Sequence, residues 1–200
     1  MKYLLLVVTL LLLASIGLAQ ENHDIPFHLP TPEGWKTETI PFPLGFAPEI
    51  EYEGLEELRF APGMFNPETE DFWSYAFVWW IPQDTEITAE KLQDDLDAYY
   101  RGLNHDKQAA EDGPKDITPV HSVVQRVKTG EDETVRFEGT IDTFDSFVTQ
   151  EPISLNFQVE VIICEKQEKM AVYFELSPQP LAHAVWEELH EIRAGFGCSR

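Results

Sequence analysis

The sequence predicts an α+β fold: an antiparallel β-sheet packed with two main helices. Three observations carry this. Strand-like runs fall in the order β-β-β-α-β-β-β-β-α, so strands cluster instead of alternating with helices. The later strands are joined by short polar connections, which suit hairpins and exclude crossovers. Two segments carry an apolar stripe at helical spacing.

The elements follow in order. Residues 1–19, "MKYLLLVVTLLLLASIGLA", combine Lys2, a leucine- and valine-rich run and the small residues Gly17 and Ala19 before a cut. This is the pattern of a secretory signal peptide cleaved after Ala19. The apolar run is about 16 residues, short for a membrane span. No Cys follows the cut to take a lipid, and no Asn-x-Ser/Thr acceptor occurs. Residues 20–34 are polar and proline-rich, an extended lead-in to a single domain over 35–200. Without the signal roughly 180 residues remain, enough for one sizeable core.

Residues 35–44, "WKTETIPFPL", alternate and hold two prolines, so an edge strand is expected there. A second strand is expected near Glu57–Ala61. The segment "DFWSYAFVWWIP", residues 71–82, holds three of the five tryptophans. Trp73, Tyr75, Phe77, Trp79 and Ile81 share one parity; Phe72, Ala76, Val78 and Trp80 share the other. A strand apolar on both faces is covered on both faces, so this is a central strand and its rings are core. Trp79 and Trp80 point to opposite faces and cannot form one flat stacking platform.

Residues 86–106 predict a helix, with Thr88 as N-cap and Ile87 and Leu92 as a hydrophobic staple. Leu92, Leu96, Tyr99, Tyr100 and Leu103 form its stripe, with Asp94, Asp95 and Asp97 off it. An acidic loop over 104–118 is expected next. Four strands follow: Val120–Val127; Thr134–Phe144, joined to it through "KTGEDE"; Ile153–Cys164, which alternates cleanly; and Met170–Leu176, joined through "EKQE". The closing helix is expected over Leu181–Ala194, with Leu181, Val185, Leu189 and Ile192 buried and Gly195 as its stop.

At this level of element order, and through "LPTPEGWKTE" with Pro32, Gly34 and Trp35, the chain resembles the PsbP-like family. The resemblance implies an antiparallel sheet sandwiched between helices (an α/β/α sandwich) and an exported, non-catalytic binding or accessory role. It implies no functional residue, and the proline-rich segment 41–69 departs from the family pattern.

Charge narrows function further. With 36 acidic and 14 basic residues the formal net charge is −22. Such a surface repels nucleic-acid phosphates and anionic lipids, so neither nucleic acid nor, after signal cleavage, a membrane is an expected partner. A protein or a small molecule outside the cytoplasm is, and no cofactor is expected. His183, Glu187 and His190 are candidate zinc ligands at i, i+4 and i+7, on the helix face opposite the apolar stripe; the solvated-face reading stands beside this one. Asp142 and Asp145 are candidate calcium ligands without EF-hand spacing. His121 has no partner identifiable from sequence, and the acidic run 131–133 suits a solvated turn. No nucleophile elbow, Ser-x-x-Lys or glycine-rich phosphate loop occurs. An unrecognised hydrolase or metal-dependent enzyme is the alternative function. Cys164 and Cys198, the two cysteines of an exported chain, are expected to form a disulfide.

Overall fold

The strand-like segments pair into one seven-stranded sheet in a computed structural model that describes residues 25–111, 119–127 and 134–199. The strands are β1 (Lys36–Pro41), β2 (Leu55–Phe60), β3 (Tyr75–Pro82), β4 (His121–Val127), β5 (Val135–Phe144), β6 (Pro152–Cys164) and β7 (Lys169–Ser177). Their order across the sheet is β1-β2-β3-β7-β6-β5-β4, and every pairing is antiparallel. Helix α1 (Ala89–Glu111) follows β3 and helix α2 (Val185–Ala194) follows β7. The chain is thus α+β, with α1 on one face of the sheet and α2 on the other.

Alternation decides which residues meet which helix. In β3, Tyr75, Phe77, Trp79 and Ile81 join Leu92, Leu96 and Tyr99 of α1. Ala76, Val78 and Trp80 join Val185, Trp186, Leu189 and Ile192 of α2. Phe77 and Trp79 have no exposed area. Phe77 stacks on Phe174 of β7 with ring centroids 4.2 Å apart and on Tyr99 at 5.7 Å. These two rings are core, as the pattern predicts. β1 is an edge strand, again as expected, and its two flanking prolines remove donors that a further strand would need.

Helix α1 starts where its cap predicts: Thr88 Oγ1 accepts from Lys91 N at 3.1 Å and Thr88 O accepts from Leu92 N at 2.9 Å. It ends later than expected, since residues 104–111 continue the helix instead of opening an acidic loop. Asn104 explains the extension: it is buried, and its Nδ2 donates to Thr143 Oγ1 of β5 at 3.1 Å, so tertiary contact holds the helix past the apolar stripe. Residues 112–118, with Gly113 and Pro114, and the "KTGEDE" turn lie outside the described residues, as does the signal segment. Asp95, placed off the stripe by spacing, is buried too: it accepts from the Tyr52 hydroxyl at 2.5 Å and pairs with Lys91.

Helix α2 begins at Val185, not Leu181. Residues 181–184 form a turn instead, with His183 N donating to Pro180 O at 2.8 Å. Leu181 is consequently 46% exposed, and Trp186 takes its part in the buried stripe. Gly195 is the C-cap. The lead-in contributes more than an extended approach: Ile25, Phe27 and Leu29 are buried in the α2-side core, and Arg59 holds this strip by donating to Leu29 O at 3.0 Å and Pro30 O at 3.1 Å. His28 forms a β-bridge with Gly197.

The disulfide joins Cys164 and Cys198 with Cα atoms 5.4 Å apart. Cys164 belongs to the α2-facing core, so the tail leaving α2 meets it without passing around the sheet. The parity of Cys164 in β6, opposite to the row of Phe157 and Val159, is what makes the bond direct. Among the described residues no helix is long and apolar enough to cross a membrane.

Candidate functional site

A concavity of about 1020 Å³ opens on the α1 side of the sheet near its β1 edge. Strand alternation supplies its floor: Ile40 of β1, Leu58 and Phe60 of β2 and Tyr75 of β3 face the same side. Helix α1 adds Tyr99 and Leu103, and the loop after β1 adds Phe46. Two further loops close the walls, one with Met64, Phe65 and Trp73, the other with Phe147 and Val148. The charged groups among the lining residues, Lys36 and Glu38, are exposed on β1.

Local chemistry fixes both loops. In the segment between β2 and β3, Trp73 N donates to Met64 O at 3.2 Å, and Asp71 Oδ2 accepts from Gly63 N at 2.7 Å. A Cβ at Gly63 would lie 2.0 Å from Asp71 Oδ1, so the loop needs glycine there. In the segment after β5, the buried Asp145 carboxylate accepts from Phe147 N, Val148 N, Thr149 N and Thr149 Oγ1 at 2.7–3.1 Å. Asp145, a candidate calcium ligand by sequence, is thereby consumed in shaping its own loop. Asp142 is exposed and sits opposite the exposed His121 in the β4–β5 register.

Trp73 is the unusual residue of the cleft. Its φ of 51° is left-handed, which costs a residue with a Cβ and persists only where surroundings impose it. Its side chain is 2% exposed, yet the indole Nε1 has no hydrogen-bond partner. Edge-on contacts hold the ring: Phe147 at 5.6 Å and 77°, Tyr75 at 6.3 Å and 63°. Phe65 is 45% exposed and contacts Phe60 at 6.2 Å and Phe147 at 6.1 Å, forming an aromatic lip.

Behind the cleft lies a buried polar cluster. Glu56 of β2 has no exposed area; its Oε1 accepts from Trp79 Nε1 at 3.0 Å, whereas Oε2 has no partner in hydrogen-bonding geometry. Burial pushes its pKa up to about 8, with the nearby Glu38 charge adding to the rise and the Trp79 and Tyr99 donors opposing it. The hydroxyls of Tyr75 and Tyr100 are hydrogen-bonded to each other. Burial raises the pKa of both, and of Tyr99, so all three stay neutral at ordinary pH.

A second, smaller concavity of about 310 Å³ lies over β5, β6 and β7 beside α2. Glu160 Oε2 accepts from Arg193 at 2.6 Å and from Arg136 at 3.0 Å, and Arg193 Nε donates to the buried Glu175 at 3.2 Å. Burial raises Glu175 to about 7 against the pull of Arg193.

The zinc candidates are not brought together. His183 precedes α2, so helical spacing does not govern it; its Nδ1 accepts from Val185 N at 3.2 Å and its Nε2 lies 3.9 Å from Glu70. His190 turns to Gln158 Oε1 at 3.1 Å and Glu175 Oε2 at 3.6 Å. Among the described residues no group of three or more His, Cys, Asp or Glu side chains is arranged to hold a metal ion. The odd-numbered aromatics of the stretch, Trp73, Tyr75, Phe77 and Trp79, all belong to the α1-side core, and Trp73 and Tyr75 line the cleft as well. Sequence reading placed Trp73 with the core, where it lies, and gave no role to Phe60, Phe65, Phe147 or Glu56. Compared with family models, curated proteins and solved structures, the chain shows no match.

Proposed function

We propose that this chain is an exported, non-catalytic binding domain of the PsbP-like kind that takes an apolar small molecule in the aromatic cleft. The observation that carries the reading is the cleft itself: about 1020 Å³, walled by aromatic and aliphatic side chains, with Lys36, Thr37 and Glu38 as its polar residues on β1. Ligand sites are concave, mostly apolar and of this size. Tyr75 and Tyr99 do not alter that balance, since their hydroxyls engage Tyr100 and Glu56. Export is supported by the signal-like residues 1–19 and by the Cys164–Cys198 bond, which suits an oxidising compartment.

Titration with Nile red, a neutral dye whose emission shifts in apolar surroundings, tests the reading. The wild-type protein binds it saturably, and Val148→Trp, which fills the cleft from its 145–150 wall, weakens binding by about tenfold or more. Val148 is half-buried and its loop is held by backbone donors to Asp145, so the variant keeps its loop. Absence of saturable binding, or equal binding by a folded Val148→Trp protein, overturns the proposal.

A further inference from the structure

We infer that the ligand of the cleft is an amphiphile: its apolar part fills the aromatic cavity, and its head group is zwitterionic and sits on Lys36, Thr37 and Glu38 of β1. The inference rests on the binding reading above and names its ligand class. Lys36 and Glu38 are the charged lining residues, and they are of opposite sign. Both are exposed, and neither has an ion-pair partner among the described residues. Strand alternation turns both to the cleft: Lys36 lies opposite Phe60 and Glu38 opposite Leu58, two residues of its floor. Two steps along a strand set them about 7 Å apart.

Thr37, exposed between them, adds an open backbone. Phe42 N donates to Gly54 O, so Phe42 and Gly54 are a hydrogen-bonded pair at the end of the β1–β2 ladder. Bonded pairs recur every second residue, which makes Ile40–Glu56, Glu38–Leu58 and Lys36–Phe60 the next ones. Thr37 therefore turns its N–H and C=O away from β2, at the free edge of the sheet. An anionic group on a ligand meets the Lys36 ammonium and the Thr37 N–H, and a cationic group meets the Glu38 carboxylate and the Thr37 C=O. Simple ions match this rim less well. A net anion is repelled by a chain of formal charge −22, and a net cation is opposed by Lys36. A head group that carries both signs answers both residues and has no net charge to repel.

The test uses four probes with one ten-carbon tail, each below its critical micelle concentration: decylphosphocholine, decyltrimethylammonium, decyl sulfate and decyl maltoside. Their dissociation constants are measured on the mature wild-type protein, Lys36→Gln and Glu38→Gln; both substitutions fall at exposed positions, so the variants keep the fold. Glu38→Gln weakens decylphosphocholine and decyltrimethylammonium by about 2- to 5-fold, the range of a partly exposed ion pair. Lys36→Gln weakens decylphosphocholine and decyl sulfate by a similar factor and does not weaken decyltrimethylammonium. Decyl maltoside is unchanged in both, so decylphosphocholine alone responds to both variants. Sedimentation with phosphatidylcholine vesicles separates two sources of such a head group: protein that pellets takes it from a bilayer, and protein that stays in the supernatant while binding decylphosphocholine takes a free amphiphile. If Nile red binds and Val148→Trp weakens it, but neither β1 variant changes the affinity for decylphosphocholine, the head-group inference fails while the binding reading stands. If neither Nile red nor any decyl probe binds the wild-type protein, the binding reading itself falls.

Discussion

Replacing Glu56 by Gln tests whether the α1-side core holds a proton that the unfolded chain releases. Glu56 has no exposed area, and burial lifts its pKa from the ordinary 4.5 to about 8. A carboxyl raised on folding contributes stability that is fully present below 4.5 and is lost as pH rises toward 8, because the folded state then binds the extra proton. Across that window each pH unit removes about 1.4 kcal/mol. Between pH 5 and pH 8 the loss is therefore about 3 to 4 kcal/mol, a large part of ordinary domain stability. The amide is close in shape to the protonated carboxyl and keeps an oxygen for Trp79 Nε1. Glu56→Gln should thus match the wild type at pH 5 to within about 1 kcal/mol and exceed it by several at pH 8. Urea unfolding at both pH values, at one ionic strength and with the disulfide intact, measures the difference. Glu175, raised to about 7 by burial, slopes the wild-type curve in the same direction, but it is present in both proteins and cancels. Tyr75, Tyr99 and Tyr100 stay neutral throughout. An offset of equal size at pH 5 and pH 8 would refute the reasoning.

Phe77→Ala should cost about 3 to 5 kcal/mol, since the ring is fully buried between Phe174 and Tyr99; urea unfolding that shows less than about 1 kcal/mol would contradict its place in the core. Cys198→Ser opens a loop spanning 34 positions and should lower stability by about 3 to 4 kcal/mol in the chain-entropy model; two free thiols on unreduced, denatured wild-type protein would disprove the bond. Arg193→Ala leaves Glu175 buried without its cation and Glu160 with Arg136; a loss of about 1 to 3 kcal/mol at neutral pH is expected, and a melting temperature equal to the wild type would count against the network. Calorimetric titration with micromolar zinc should give no heat, because His183 and His190 face different partners; stoichiometric heat abolished by His190→Ala would reverse that view.

The fold was legible where local pattern and tertiary burial agree. The alternation of Ile153 to Ile163 located β6, and the two apolar parities of 75–82 located a strand covered on both faces. The pattern misled where one long-range contact outweighed it. Asp95 lies off the apolar stripe of α1 and yet is buried, because Tyr52, 43 positions away, donates to it. Asn104 prolongs the same helix through a bond to Thr143, 39 positions away. Ile25, Phe27 and Leu29 sit among prolines that suggest a solvated approach, and it is Arg59 of β2 that draws the strip onto the sheet. None of these partners is adjacent in sequence, so no window of residues records them.

The cleft was harder to foresee for a related reason. Its walls come from β1, β2, β3, α1 and three loops, and each contributes residues that are individually ordinary core formers. An aromatic side chain has the same local pattern whether its ring meets another ring or a void. What separates Trp73 from Trp79 is backbone geometry: Trp79 lies inside a paired strand, whereas Trp73 precedes the strand at φ 51°, braced by the loop that Asp71 and Gly63 close. The departure from strand geometry moves its indole out of the stack formed by Phe77, Trp79 and Phe174 and onto the wall shared with Phe147. The β3 segment therefore serves two ends at once. Its paired residues supply the rigid core, and the unpaired residue at its entrance adds a wall to the cleft.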